Sequence, residues 1–248
     1  MAIFNGERYL EEQIRSILMQ LSADDEVIIV DDCSRDASVR LIERISDPRI
    51  KLLQNTANIG PTLSFEKAIS FANGKYIFLS DQDDIWRPTK VESIYSIFES
   101  TNAVVVVSDA RIVDANRNTL EESLFVLRNS GEGFLRNLYK NGFVGCCMAL
   151  RSSARAFLLP FPKHIAMHDE WIGLCASLTG RVHFLNQQLM DYRRHDSNVT
   201  QLSHGSLASM VQKRVMLFFM ILFRLRRILS WRLRAAERFN PRSGDHME

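Results

Sequence analysis

Between residues 26 and 109 short β-branched runs alternate with segments of helical apolar spacing, and no other feature constrains the fold as tightly. Glu26-Val27-Ile28-Ile29-Val30 reads as a buried strand that ends in Asp31-Asp32. Ser34 to Ile45 then fits a helix capped by Ser34 or Asp36, Ile50 to Leu53 a second strand, and Pro61 to Ala72 a second helix. Tyr76 to Leu79 is a third strand that stops at Ser80-Asp81. Lys90 to Ser100 is helical, and Ala103 to Val107 a fourth strand ending at Ser108-Asp109. Upstream, Leu10, Ile14, Ile17, Leu18 and Leu21 mark a helix within Glu7 to Leu21. Strand and helix at these intervals imply right-handed crossovers. The expected class is α/β, a Rossmann-like, mostly parallel sheet flanked by helices.

Ligands of such sheets bind at the carboxyl ends of the strands. Three of the ends here are acidic: Asp31-Asp32, Asp81-Gln82-Asp83-Asp84 and Asp109. Gathered in a dry cleft, these carboxylates would repel one another by several kcal/mol unless a cation or hydrogen-bond donors stood between them. Hard divalent ions such as Mg²⁺ and Mn²⁺ take carboxylate oxygens and keep positions open for phosphate. The run at Asp81 is therefore a candidate metal site, its alternative being a solvated acidic turn; the apolar flanks Leu79 and Ile85-Trp86 favour the metal.

Other candidates are balanced between roles. Asp32 could accept hydrogen bonds from a nucleobase or ribose, or cap the following helix. Asn58-Ile59-Gly60 is a turn before a helix that could approach a pyrophosphate. Asp169, beside His168 and Trp171, opens a helix running to Leu178 and is either a cap or a general base. Gly142 to Leu150 reads as a small-residue strand, Val182 to Leu185 as another, and Tyr192-Arg193-Arg194-His195 as the start of a polar loop. His195 alone does not distinguish a ligand from an incidental histidine.

The chain opens on Met1-Ala2-Ile3-Phe4 before the loop signal Asn5-Gly6, which leaves only three or four residues for a first strand. Either that strand is largely missing or the assigned start codon is internal. Cys33, Cys146, Cys147 and Cys175 show no zinc spacing, three of them sit in apolar surroundings that suit core packing, and no signal-peptide pattern opens the chain. Both point to a reducing cytoplasmic setting. The stretch from Lys213 to Arg238 holds eight basic residues and one acidic, a charge of +7 in a chain of net +2, which leaves −5 for the rest. Within it Val215 to Phe223 are nine consecutive apolar residues. That is short of the roughly 20 needed to span a bilayer and suits an interfacial helix on anionic lipid, or one packed on the domain or on another subunit. The expected division is a domain over 1–204 and a basic amphipathic tail over 205–248, with 205–238 the candidate membrane contact.

Taken in order, Asn5-Gly6, Val30-Asp31-Asp32-Cys33-Ser34-Arg35-Asp36, Asn58-Ile59-Gly60, Ser80-Asp81-Gln82-Asp83-Asp84-Ile85-Trp86, Gly145-Cys146, His168-Asp169-Glu170-Trp171 and Tyr192-Arg193-Arg194-His195 resemble the family 2 glycosyltransferases of the GT-A fold. The flavour is that of the bacterial rhamnosyltransferase-like branch of O-antigen and capsule assembly, and the likeness covers residues 1 to 200. The resemblance implies an inverting hexosyltransferase of surface polysaccharide assembly that uses a divalent metal and a nucleotide-sugar, with dTDP-rhamnose as the branch's donor. By position, Asp32 would contact the nucleobase, Asp81 the ribose and metal, and Asp83 the metal. Asp169 would be the catalytic base and His195 a late metal or phosphate contact, while Arg193 and Arg194 could neutralise pyrophosphate, with Asn58 and Gly60 near it. The acceptor would be a saccharide or a lipid-linked saccharide, which would place the enzyme on the inner face of the plasma membrane. Nucleic acid is not an expected partner. Ile3-Phe4 stands where Thr-Tyr is common, and the absence of QxxRW argues for a single-addition, non-processive enzyme. Two rival readings compete with this one. One is a truncated, non-catalytic nucleotide-sugar-binding protein. The other is a receiver-type signalling domain, against which stand the chain's length and the lack of a late strand-end lysine.

Overall fold

The structure is a computed structural model that describes residues 1–163, 165–195 and 207–239, with side chains described from 212 to 235 in the last segment. In chain order the elements are β1 (Ala2–Ile3), α1 (Leu10–Leu18), β2 (Val27–Asp31), α2 (Ser38–Ile45), β3 (Ile50–Gln54), α3 (Pro61–Phe71), β4 (Tyr76–Phe78), β5 (Ile85–Trp86) and α4 (Lys90–Ser100). They continue with β6 (Val105–Val113), β7 (Thr119–Glu121), α5 (Leu124–Arg128), α6 (Phe134–Tyr139), β8 (Met148–Arg151), α7 (Arg155–Leu158), α8 (His168–Ser177), β9 (Val182–Arg193) and α9 (Leu207–Phe239).

The first strands form a parallel sheet in the order β1-β2-β3, with Ala2 opposite Val30 and Val27 opposite Ile50. β2 is buried at every residue, as its unbroken apolar run requires when helices cover both faces. The second sheet runs β4-β8-β6-β9-β5, with β7 beside β6. Only β6 and β9 are parallel there; β4–β8, β5–β9, β6–β7 and β6–β8 are antiparallel. The expected parallel pairing thus holds in the first sheet, and the second is mixed because β8 enters between β4 and β6 from the opposite direction. The first strand exists as Ala2–Ile3, in register: the Met1 amine donates to the Ile28 carbonyl at 2.8 Å and Val30 N–H to the Met1 carbonyl at 2.9 Å.

Two strands run further than their apolar patterns indicated. β6 continues through Asp109 to Val113 over register shifts near Asp109, so Asp109 is interior to a strand and not at its end. Its carboxylate accepts from the N–H groups of Ala110 (2.8 Å) and Phe125 (2.9 Å) and from the Ser123 hydroxyl (2.6 Å), which fastens α5 to the sheet. It is removed from the cluster of acidic strand ends. β9 runs on through Tyr192-Arg193, where a polar loop was expected, because it pairs with β6 as far as Val113–Arg193. Conversely, part of Gly142 to Leu150 is not strand: Gly145–Cys147 is a 3-10 turn before β8.

α9 packs on α6, α7 and α8 through Arg214, Leu217, Ile221, Arg224, Ile228, Trp231 and Ala235. That spacing, recurring every three or four residues, is one helix face. Several of its basic residues turn inward. Arg224 donates to the carbonyls of Phe157, Leu159 and Pro160 at 3.2, 3.0 and 2.6 Å, and Arg227 to Leu159 at 2.9 Å. The outward face keeps Val215, Met216, Phe218, Phe219, Leu222, Phe223, Leu229 and Leu233 exposed, beside Lys213, Arg226, Arg232 and Arg234. Of the expected tail, 205–206 and 240–248 lie outside the described residues. No helix among the described residues is long and apolar enough to cross a membrane.

Candidate active site

The acidic run is placed by a pairing distant in sequence. β5 follows it at once and lies antiparallel to β9, with Ile85 opposite Asp191 and Trp86 opposite Met190. Residues before Ile85 therefore stand beside residues after Asp191. As a result His195 Nε2 lies 2.9 Å from Asp83 Oδ2, across 112 positions of chain. Tyr9 tilts its ring against His195 at 4.9 Å.

Arg193 performs a different task from the one expected of it. Its backbone N–H donates to Asp84 Oδ1 (3.1 Å) and its Nε to the Asp83 carbonyl (2.9 Å). Nη1 donates to the Ala115 carbonyl (3.1 Å) and Nη2 to Glu12 Oε2 (2.6 Å). The guanidinium also lies 4.4 Å from the Tyr9 ring centre. A buried guanidinium engaged at all three nitrogens is a clamp on the acidic loop. Arg194, half-buried and held through its backbone N–H to Val113, keeps its candidacy.

Burial first, then Asp83 and Asp169, push the Asp81 carboxyl up to about 7. Burial, then Asp83 and Asp81, raise Asp84 well above the usual carboxylate range. Asp84 Oδ2 and the Tyr9 hydroxyl are buried with no hydrogen-bond partner among the described residues. Beneath them Lys90, fully buried, donates to the Cys146 carbonyl at 2.7 Å and lies 4.7 Å from the Trp86 ring centre. Burial lowers its pKa, opposed by Cys147, Cys146, Asp84 and Asp81. Asp81, Asp84 and Cys146 also bring ligand atoms within 4.8 Å of one another. Cys146 is a poor donor to a hard cation, because its thiol is raised well above its ordinary value and stays protonated. Asp83, in contact with the His195 imidazole, raises the proton affinity of the Asp81 carboxyl, and crowding of this kind is the condition a divalent cation relieves.

Asp32 neither caps α2 nor stands free. Its Oδ1 accepts from Asn55 Nδ2 and Ile59 N–H, both at 2.9 Å, and its Oδ2 from Gly60 N–H at 2.8 Å. Three of about four acceptor positions are filled, leaving one on Oδ2. The N–H groups of Ile59 and Gly60 are thus turned to Asp32 and not to a phosphate, while the Asn58 side chain is exposed. Gln82 straps the opposite loop, accepting from Phe4 N–H at 2.8 Å and donating to its carbonyl at 3.2 Å.

The first turn of α8 carries Asp169, whose charge reaches Asp81. Burial lifts the Asp169 carboxyl to about 6, against hydrogen bonds from Glu170 N–H (2.6 Å) and Gly145. Its neighbour His168 stacks on Phe65 at 3.9 Å, and burial depresses its pKa to about 3. Gly145 makes this fit: a Cβ there would stand 2.6 Å from His168 Nε2. Glu170 pairs with Arg214 of α9, so the tail helix is tied to the turn that carries Asp169. Lys90 and the Tyr9 hydroxyl were not singled out from sequence. The position of Lys90 at the start of a helix, directly after Pro88-Thr89, carries no signal of its burial.

Comparison with known proteins decides the family. The sequence model of Glycosyl transferase family 2 matches residues 1–157. The chain belongs to this family. The Bacillus subtilis protein TuaG, whose name assigns it to teichuronic acid biosynthesis, is 34% identical over 201 residues, covering 79% of this chain and 78% of its own length. The Escherichia coli UDP-Glc:alpha-D-GlcNAc-diphosphoundecaprenol beta-1,3-glucosyltransferase WfgD is 29% identical over 163 residues, 65% of this chain and 62% of that one. Staphylococcus aureus TarS, solved in complex with UDP-GlcNAc, superposes with a TM-score of 0.68 at 18% identity over 90% of this chain and 64% of that one. The mannosyltransferase PcManGT of Pyrobaculum calidifontis, solved with GDP-Man and Mn²⁺, does so at 0.57 and 14% identity over 96% and 74%. The fold of this family 2 glycosyltransferase is GT-A, which sets aside the receiver-type reading. The chain spans between a third and two thirds of the length of the first curated relatives it matches.

Proposed function

We propose that the chain carries an inverting, metal-dependent, non-processive hexosyl transfer from a nucleotide-sugar to an acceptor hydroxyl in bacterial surface polysaccharide assembly. The observation that supports this reading is the contact of Asp83 with His195 beside Asp81, whose carboxyl also feels the charge of the buried Asp169. The acidic run suits a divalent metal and the diphosphate, and Asp169 suits the base. Asp83, Asp81 and His195 would hold the metal, which when bound supplies positive charge to the leaving diphosphate. Asp32, through its remaining acceptor position, would receive the nucleobase N–H. The turn at Asn58 to Gly60 belongs to that end of the pocket, and Arg194 to the phosphates.

Asp169 takes the proton of the acceptor hydroxyl as that oxygen attacks the anomeric carbon. The bond from that carbon to the nucleoside diphosphate breaks on the opposite face, so configuration inverts. A carboxyl near 6 is ionised at neutral pH yet more basic than an ordinary aspartate, as a general base should be. The oxygen being deprotonated is a far weaker acid than a carboxyl, so proton transfer accompanies attack.

Residues 1–204 are read as the transferase domain and 205–248 as its appended tail. The outward apolar residues of α9, with Lys213, Arg226, Arg232 and Arg234, fit the surface of an anionic membrane. A lipid-linked saccharide as acceptor and a position on the inner face of the plasma membrane agree with that face, and with WfgD's named substrate. dTDP-rhamnose and O-antigen assembly follow from the branch that the motifs resemble. Calorimetric titration of nucleotide-sugars, dTDP-rhamnose among them, with and without Mn²⁺ tests the donor site. Metal-dependent binding of one donor supports the proposal, and heats indistinguishable from dilution for all of them oppose it.

A further inference from the structure

At the end of the second sheet opposite the acidic run, a recess of about 520 Å³ gathers four cationic residues and no carboxylate among the residues that line it. Lys75 precedes β4, Arg181 precedes β9, Arg151 ends β8 and Arg234 comes from α9. β4 separates this recess from the acidic cleft. Lys75 lies before the strand and Asp81 beyond it, six positions on, which is roughly 20 Å of extended chain.

Arg151 is fixed in place by neutral acceptors. Its Nε donates to the Ala103 carbonyl at 2.7 Å, Nη1 to the Tyr76 hydroxyl at 3.2 Å, and Nη2 to the carbonyls of Phe98 and, at 3.1 Å, Thr101. None of these partners is charged, so the positive charge of the guanidinium stands uncancelled. Lys75 pairs with the exposed Glu99 at 2.9 Å; four cations less that one carboxylate leave +3 among the described side chains. The hydroxyls of Ser152 and Ser153 add hydrogen-bonding groups to the wall, while Trp231, Ala235, Val104 and Ala156 make the floor apolar. Trp231 packs edge-on against Phe157 at 5.2 Å, and the Arg181 guanidinium lies 5.8 Å from its ring centre. Cations and hydroxyls around an apolar floor suit an amphiphilic anion, with its phosphate at the rim and hydrocarbon beneath.

The helix that lines the recess narrows the choice of amphiphile. From Arg214, which pairs with Glu170 beside Asp169, α9 runs about 26 Å to Trp231, so one helix joins the active site to the recess. Leu222, Arg226, Leu229 and Leu233, three or four residues apart, form an exposed strip on its outward face. That strip meets the recess where Leu233 adjoins Arg234. We propose that the recess binds the headgroup phosphate of an anionic phospholipid, with the first acyl carbons against Trp231. A membrane that touched α9 through its apolar strip alone would leave the helix free to roll about its axis. A phosphate held beside the strip, at the end far from Asp169, fixes that roll and with it the height of the active site above the surface. The choice of a lipid rests on the membrane reading of α9, whereas the charge and shape of the recess do not.

Short-chain phosphatidylglycerol with brominated acyl chains, kept monomeric in solution, tests the recess on the full chain through tryptophan fluorescence. Bromine quenches at contact, and of the three tryptophans only Trp231 lines the recess. Saturable quenching is expected, absent from Trp231→Phe and at least about fivefold weaker with the zwitterionic phosphatidylcholine analogue. Ser153→Glu and Arg232→Gln each lower the net charge by one. The first, in the recess, should weaken binding at least about fivefold, and the second, on the outward face, should leave it within about twofold. Equal quenching by the two lipids, quenching that survives Trp231→Phe, or equal effects of the two substitutions would overturn the proposal. So would inorganic phosphate that displaced the lipid at the lipid's own concentration, which would make this a site for free phosphate. Saturable quenching by the monomeric lipid without binding to phosphatidylglycerol vesicles would uphold the recess and remove the membrane reading instead.

Discussion

Replacing Asp169 with Asn separates a catalytic base from a helix cap, because the two roles predict opposite changes in stability. Asp169 has its pKa raised from 3.8 to about 6 by burial. A carboxyl whose folded value is raised destabilises the fold once ionised: nothing is lost below 3.8, the penalty grows between 3.8 and 6, and it is complete above 6. At about 1.4 kcal/mol per unit the full penalty is about 3 kcal/mol. Asparagine keeps an oxygen for the Glu170 and Gly145 N–H groups and carries no charge. Asp169→Asn should therefore raise Tm at pH 7.5 by roughly 5–10 °C in metal-free buffer and leave it nearly unchanged at pH 3.5. Transfer should fall by about 10²–10⁴-fold, the usual contribution of a general base, while nucleotide-sugar affinity stays within about twofold. Calorimetric scans at the two pH values, with a nucleoside-diphosphate release assay, measure all three quantities. A variant less stable at pH 7.5 would make Asp169 a cap. More than a few per cent of residual transfer would remove it as the base.

Four further outcomes follow from the geometry. In the unsubstituted chain kcat should rise with pH to a plateau through an apparent pKa near 6, as Asp169 ionises; a flat profile from pH 5 to 8 would oppose that assignment. Asp83→Ala and His195→Ala should each weaken Mn²⁺-dependent nucleotide-sugar binding at least about tenfold, as read by calorimetry. Arg193→Lys loses the fork that holds Asp83 and Glu12 together, and should lower Tm by about 2–6 °C and metal affinity with it. Gly145→Ala drives a Cβ to 2.6 Å from His168 Nε2, and should cost about 1–3 kcal/mol in urea titrations along with most of the activity.

Of the first sheet, β2 was the most legible because it is a continuous apolar run ending in acid, complete within five residues. Asp81 and Asp83 stood out as candidates because they follow the apolar strand Tyr76 to Leu79, and Asp169 because it opens a helix. What local pattern does not carry is closure. Asp109 looked like a strand end because polarity interrupts Val105 to Val113, yet β6 runs through a bulge and spends that carboxylate on α5. Tyr192-Arg193 looked like loop, yet its pairing with β6 makes it strand and turns Arg193 inward. The basic residues of α9 read as a membrane flank, whereas Arg214, Arg224 and Arg227 satisfy groups on α8 and around α7. For the arginines the partner lies far along the chain, and a charged side chain's choice between water and a distant carbonyl is not written in its neighbours.

The most direct test follows the anomeric proton by NMR while the chain, Mn²⁺ and a panel of nucleotide-sugars act on a lipid-linked saccharide acceptor. One donor should be consumed, metal-dependently, with the transferred sugar's configuration inverted and no turnover by Asp169→Asn. A product of retained configuration, or equal turnover in excess EDTA, would contradict it.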